Sequence, residues 1–188
     1  MIKVGITGSL ASGKTTSSKI ISYKRGPLFS ADNTVKQLYL KKSFKRLVAK
    51  KLKLHSNFNL KKQVKDKILK ENKTLKKLEK ILHPLVRREM LNFSKKFKKN
   101  KFIFFEIPLL IESKLNRFFD LIIFIKSKKK LRLKRFKTKN GNIKLFHLLE
   151  SKQLKDTKKS KLCDHIIVNN KSLIVLKKKL LNIIETYE

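Results

Sequence analysis

Ile2-Lys3-Val4-Gly5-Ile6-Thr7, running into Gly8-Ser9-Leu10-Ala11-Ser12-Gly13-Lys14-Thr15, is the stretch that decides the fold. Its second part fits G-x-x-x-x-G-K-[ST] without a mismatch. Its first part is an apolar run of strand length, and a helix is expected over residues 15–21. The physics needs that order. A buried strand delivers a loop whose backbone N–H groups wrap an anion, and the next helix offers the positive end of its dipole. Glycine at positions 8 and 13 permits a close, tightly turned approach that a Cβ would obstruct. Lys14 is placed to reach β/γ-phosphates and the Thr15 hydroxyl to ligate Mg²⁺, so a nucleoside triphosphate site is expected.

Working outward, the elements alternate. Pro27-Leu28-Phe29-Ser30 reads as a short strand, and a helix is expected from residue 32 to about 54. Leu75, Leu78, Leu82, Leu85, Met90 and Phe93 keep a helical stripe, interrupted at His83-Pro84. Lys101-Phe102-Ile103-Phe104-Phe105-Glu106 and Asp120-Leu121-Ile122-Ile123-Phe124-Ile125 are nearly continuous apolar runs, as buried parallel strands are. Ser127 is a candidate cap for a helix reaching Phe136. His165-Ile166-Ile167-Val168 is a last strand, closed by an amphipathic helix through Leu173, Leu176, Leu180, Ile183, Ile184 and Tyr187. The expected fold is therefore α/β, a parallel sheet covered on both faces. Residues 34–98 show no strand signal and suggest a helical insertion. Residues 138–160 are polar, lysine-rich and broken by Asn140-Gly141, suggesting a mobile helical segment.

Composition bounds the rest. The chain has 188 residues, enough for one domain with a sizeable core, and 40% hydrophobic content despite 34% charged residues. No apolar run approaches the ~20 residues that span a bilayer. Met1 leads straight into the first strand, so no signal peptide is expected. A single cysteine, Cys163, excludes an intrachain disulfide and points to a reducing cytoplasm. The 50 Lys+Arg against 13 Asp+Glu give a net charge of +37. Such a surface attracts polyanions nonspecifically. The lysines are scattered, however, with no single motif of interleaved aromatics. Abundant Lys, Ile, Asn and Phe instead match codon drift in an AT-rich genome, so no specific nucleic-acid role is expected.

Further residues narrow the chemistry. Asp32 ends the second strand, where carboxyl ends of an open sheet meet the ligand crevice. It would orient or deprotonate an acceptor hydroxyl, or cap the following helix. Glu106 closes an apolar strand and is either a carboxylate holding Mg²⁺ or a solvated strand-end acid. Glu112 is expected as an exposed residue starting a helix. His83, among apolar residues, reads as a core histidine, while Arg87 and Arg88 are either a solvated face or a grip on a phosphorylated substrate. Arg135, with Lys139 and Lys159, belongs to the neighbourhood of a segment that would exclude water during phosphoryl transfer.

The phosphate loop, Ala31-Asp32, Leu78-Glu79-Lys80-Ile81-Leu82-His83-Pro84-Leu85-Val86 and Ile107-Pro108-Leu109-Leu110-Ile111-Glu112 stand in an order that resembles dephospho-CoA kinase. Leu133-Lys134-Arg135, Gln153 and Cys163-Asp164-His165-Ile166-Ile167-Val168-Asn169 continue the resemblance essentially end to end. It implies a phosphate-loop NTPase core (residues 1–33, 99–137 and 161–188), a helical substrate-binding insertion over about 34–98 and a lid over about 138–160. It also implies ATP with Mg²⁺, and phosphorylation of the ribose 3′-hydroxyl of dephospho-coenzyme A, the last step of coenzyme A biosynthesis. Carried over by position, Ala11, Ser12, Gly13, Lys14, Thr15 and Thr16 hold the phosphates, and Asn169 lies near the adenine. Asp32, Lys14 and Arg135 are catalytic, Thr15 and Glu106 face the metal, and His83, Arg87 and Leu109 face the substrate. The family's usual D-A-D is Ser30-Ala31-Asp32 here. Lys139-Asn140 stands where a second Arg and an Asp are common, and Lys159 matches an Arg position near the lid's end. The alternatives are a phosphate-loop kinase of a nucleoside or nucleotide, which would not call for the His83-Pro84 and Pro108-Leu109-Leu110 blocks, and a basic nucleic-acid-binding ATPase.

Overall fold

The computed structural model describes residues 1–55 and 59–188. Residues 56–58, inside the stretch expected as a helical insertion, lie outside the described residues. Two compact units are present, Met1–Ser30 with Lys96–Glu188, and Ala31–Lys95.

The larger unit is built on five parallel strands in the order β2-β3-β1-β4-β5. They are β1 (Ile2–Gly8), β2 (Leu28–Ser30), β3 (Phe102–Glu106), β4 (Leu121–Lys126) and β5 (His165–Val168). The central β1 pairs with β3 in the register Ile2–Phe102 to Ile6–Glu106, and with β4 from Val4–Leu121 to Gly8–Ile125. Its carboxyl end, where the phosphate loop begins, is thereby fixed in the middle of the sheet.

Strand alternation explains the unbroken apolar runs. Val4, Ile6, Phe102, Phe104, Leu121, Ile123 and Ile125 point to one face, into a core completed by Ile21 of α1 (Lys14–Ser22) and Leu176, Leu180 and Ile184 of the last helix (Leu173–Glu185). On the other face Phe105 meets Phe119 and Phe118 edge-on, at 5.4 and 5.8 Å between centroids. A Cβ on Gly5 would stand 2.8 Å from Leu110, so that face closes over β1 only because glycine is there. Every strand residue of β3 is buried, as a run apolar on both sides requires.

The second unit is helical: α2 (Ala31–Leu38), α3 (Lys42–Leu52), α4 (Leu60–Lys70) and most of α5 (Asn72–Lys96). The single helix expected from residue 32 to about 54 is two helices. The chain turns at residues 39–41, where Tyr39 folds inward edge-on against Phe44 at 5.1 Å. The expected interruption at His83-Pro84 is absent, since α5 runs through Pro84. A proline removes one N–H bond from the ladder, which a helix of this length absorbs. After β4 come α6 (Lys129–Lys137), α7 (Ile143–Ser151) and α8 (Asp156–Ser160), and α9 is the closing helix Leu173–Glu185. Ser127 does not cap α6, whose N-cap is Lys128. No helix among the described residues is long and apolar enough to cross a membrane.

Candidate active site

The loop between β1 and α1 is shaped by backbone that only some residues tolerate. Gly13 has φ +104° and Ala11 φ +57°. A Cβ on Gly13 would lie 2.3 Å from Asn169 Nδ2, so sterics and torsion both demand glycine. Lys14 is buried, and its Nζ donates to the Gly8 and Ser9 carbonyls at 3.1 and 2.9 Å. The ammonium is therefore folded back along the loop's inner wall. Gly13, the N-cap of α1, brings no side chain to cap it, so the first N–H groups and the dipole of the helix are directed at the loop.

A carboxylate closes the other side. Glu106, 2% exposed at the end of β3, accepts from Thr15 Oγ1 at 2.5 Å and from Ser30 Oγ at 3.1 Å. The alternative of a solvated strand-end acid is thereby excluded. Ser30, where the resemblance would have a first carboxylate, supplies a hydroxyl that satisfies Glu106 instead of a charge that repels it. A carboxylate beside a threonine hydroxyl at a phosphate loop is a hard-oxygen donor set, and it fits Mg²⁺.

Behind the loop sits a cluster of donors. Asn169 Nδ2 donates to the Ser12 carbonyl at 2.8 Å. Arg135 Nη1 donates to the same carbonyl at 3.3 Å and to Ser127 Oγ at 3.2 Å, while its Nη2 reaches the Asn169 carbonyl at 3.1 Å. The structure thus brings Arg135, Asn169 and Ser12 together. Arg132 was missed by sequence reasoning. It is buried, donates to the Leu10 and Ser127 carbonyls at 3.3 and 3.1 Å, and pairs with Glu150 at 2.7 Å. Its spacing of three from Arg135 puts both on one face of α6, the signal that would have found it.

Between α7 and α8 the chain returns to the loop. Gln153 Oε1 accepts from Leu10 N–H at 3.2 Å, and Asp156 accepts from the Ser9 hydroxyl. Lys159 is fully buried and its Nζ lies 2.7 Å from Glu112 Oε1, which also accepts Leu154 N–H at 3.1 Å. The ammonium meets Glu112 off the hydrogen-bonding direction, so the attraction is mainly that of two charges. Glu112 is accordingly not an exposed helix start: it lies in a run of turns after β3 and is the anchor for α8. Cys163, hydrogen-bonded to the Lys159 carbonyl, has its thiol pushed up to about 11 by burial and by Asp164.

Of the remaining expected site residues, Leu109 is half-buried in those turns and Thr16 is exposed on α1. Asp32, His83 and Arg87 belong to the helical unit. Asp32 is exposed in the first turn of α2, directly after Ser30 and Ala31. His83 is exposed on α5, which rules out the core-histidine alternative, and Arg87 is exposed one turn further along the same face.

A parallel sheet presenting a strand–phosphate loop–helix, with a lysine, a threonine hydroxyl and a carboxylate around the loop, defines a phosphate-loop kinase core. The dephospho-CoA kinase family profile matches residues 2–174, and the chain belongs to that family. The dephospho-CoA kinase of Rickettsia typhi is 31% identical over 189 residues, covering 100% of this chain and 98% of that protein. Among solved structures, one from Thermus thermophilus superposes with a TM-score of 0.77 at 22% identity, covering 98% of this chain and 97% of the other. The dephospho-CoA kinase from Campylobacter jejuni gives 0.68 at 24% identity, covering 97% and 95%. At those identities the two structures speak for the fold. Family membership makes the chain a kinase that uses ATP to phosphorylate dephospho-CoA in coenzyme A biosynthesis.

Proposed function

We propose that the Lys14–Thr15–Glu106 grouping is the phosphoryl-transfer centre, with the ribose 3′-hydroxyl of dephospho-CoA as acceptor. The observation that carries this reading is the buried Glu106 carboxylate drawn onto the Thr15 hydroxyl beside the loop. Residues 11–16 hold the ATP phosphates, and Thr15 with Glu106 would hold Mg²⁺, which screens charge on the phosphates when bound. Lys14 tracks the β/γ-phosphates, and Arg135 with Asn169 fixes the loop's rear wall on the nucleotide side. Asp32 takes the proton of the acceptor hydroxyl as its oxygen bonds to the γ-phosphorus and the β–γ bridging bond breaks. The exposed His83 and Arg87, with Leu109, are assigned to the acceptor, the helices of residues 34–98 to its binding and residues 138–160 to a lid.

The compartment we infer is the cytoplasm, with dephospho-CoA the partner in solution and nucleic acid bound only nonspecifically through net charge. A coupled ADP-release assay offering dephospho-CoA, AMP, uridine and single-stranded DNA separately tests the assignment. Release is expected with dephospho-CoA alone. Asp32→Asn should lower that turnover about 10²–10⁴-fold while melting temperature and ATP affinity stay near those of the parent. Unchanged turnover would remove Asp32 from the chemistry, and release driven by DNA would remove the reading itself.

A further inference from the structure

Each carbonyl of the phosphate loop shares a rigid peptide plane with the N–H of the residue that follows it. The loop's peptides are trans, so drawing a carbonyl to one side points that N–H to the other. Two such planes open onto residues 11–16. The Ser12 carbonyl, held by Asn169 and Arg135, sets the direction of the Gly13 N–H. The Leu10 carbonyl sets that of the Ala11 N–H, and Arg132 Nη1 holds it at 3.3 Å. Ala11 has φ +57°, a left-handed backbone that costs free energy for any residue with a Cβ, so its surroundings must hold it there.

Arg132 is itself held from three sides. It is 6% exposed, its Nε donates to the Ser127 carbonyl at 3.1 Å, and its Nη2 meets Glu150 of α7 at 2.7 Å. Its guanidinium also stands over the Phe146 ring, 5.8 Å from the centroid. The three nitrogens of one planar fork are thus committed to the turn before α6, to α7 and to the phosphate loop. A lysine, with a single nitrogen, cannot span all three. Glu150 offsets a charge that would otherwise be costly to bury.

We propose that Arg132 is a positioning residue for ATP: by holding the Leu10 carbonyl it aims the Ala11 N–H at the triphosphate, as Asn169 and Arg135 aim the Gly13 N–H. The proposal rests on reading residues 11–16 as the phosphate site. Arg132 acts through the loop, from behind it. Its effect is preorganisation, since a donor already aimed needs no reorganisation when the ligand binds. A contact equally strong in the ground and transition states lowers the KM for ATP and leaves kcat unchanged.

Calorimetric ATP titration and steady-state kinetics on the parent, Arg132→Gln, Arg132→Lys and Glu150→Gln proteins test this. Arg132→Gln should raise the dissociation constant and the KM for ATP about tenfold, as loss of one hydrogen bond to a charged group would. Its kcat and its KM for dephospho-CoA should stay near those of the parent. Arg132→Lys keeps the charge without the fork and should fall between. Glu150→Gln keeps an acceptor oxygen for Nη2, so it should lower the melting temperature and leave ATP affinity unchanged. That contrast separates aiming the loop from joining α6 to α7. Should Arg132→Gln fail to fold, Arg132→Lys carries the same comparison. The proposal is overturned by folded Arg132 variants that bind ATP as the parent does, or that raise the KM for dephospho-CoA equally. It is overturned as well by a Glu150→Gln protein that loses as much ATP affinity as Arg132→Gln. A Lys14→Ala protein that binds ATP as tightly as the parent overturns the reading of the loop, and the proposal with it.

Discussion

Thr15 Oγ1 donates to Glu106 Oε1 at 2.5 Å, joining the first turn of α1 to the last residue of β3 across a gap of 91 residues. The bond exists because β3 lies beside β1 in register Ile6–Glu106, which sets the carboxylate level with the start of the phosphate loop. Replacing Glu106 by Gln keeps the shape and one acceptor oxygen, leaves the other hydroxyl to accept from the amide NH2, and removes the charge. The expected outcome is a fall in turnover of about 10²-fold, a shift of the Mg²⁺ dependence to higher concentration, and little change in melting temperature. Turnover and Mg²⁺ titrations on the purified variant check this; an unaltered Mg²⁺ midpoint would place the metal elsewhere.

Glu150 gives a pH signature. Burial pushes its carboxyl up, but hydrogen bonds and charge from Lys129 and Arg132 outweigh this and hold it below its ordinary 4.5. A carboxylate with a lowered folded value stabilises fully above its unfolded value and loses that contribution as pH falls through the lowered one. Glu150→Gln should therefore cost about 1 kcal/mol near neutrality, kept small by solvent screening at a partly exposed pair. Urea unfolding of parent and variant at about pH 7 and about pH 3 should show the gap closing in acid. A gap of equal size at both values would deny the carboxylate its role.

The Lys159–Glu112 pair should behave as a unit. Lys159→Met leaves Glu112 charged and largely enclosed, which costs about 3–5 kcal/mol. Lys159→Met combined with Glu112→Gln should recover much of that loss, because the stranded charge is gone. A double-mutant cycle by urea unfolding measures the coupling, and strictly additive losses would contradict it.

The apolar runs of β1, β3 and β4 were legible because parallel strands buried on both faces leave no room for polar alternation. Gly13 and Lys14 were legible because the loop's chemistry is local. What escaped depends on partners far along the chain. Ser127 reads as a helix cap until Asn169 and Asn170, across the β4–β5 pair, claim its hydroxyl. Glu112 reads as a surface acid because Lys159, its partner, is one lysine among many. Arg132 hides for the same reason: within Lys-Lys-Lys-Leu-Arg-Leu-Lys-Arg only its spacing of three from Arg135 marks it among the cations. The break between α2 and α3 carries neither Gly nor Pro, and its inward residue, Tyr39, continues the apolar pattern of the helix before it.

The placement of β1 at the centre of the sheet has a consequence for how the chain is made. Its partners are Phe102 onward and Leu121 onward, so β1 is synthesised well before either of the strands it pairs with. The helices of Ala31–Lys95 lie wholly within the loop that this pairing closes, and their contacts are short in sequence. Helix formation there runs ahead, while closing the sheet waits on long-range pairing and sets the pace of folding. During that wait the strand that will carry the phosphate loop is exposed apolar chain, so synthesis halted before β3 leaves it unpaired on both sides, and synthesis halted between β3 and β4 leaves it unpaired on one.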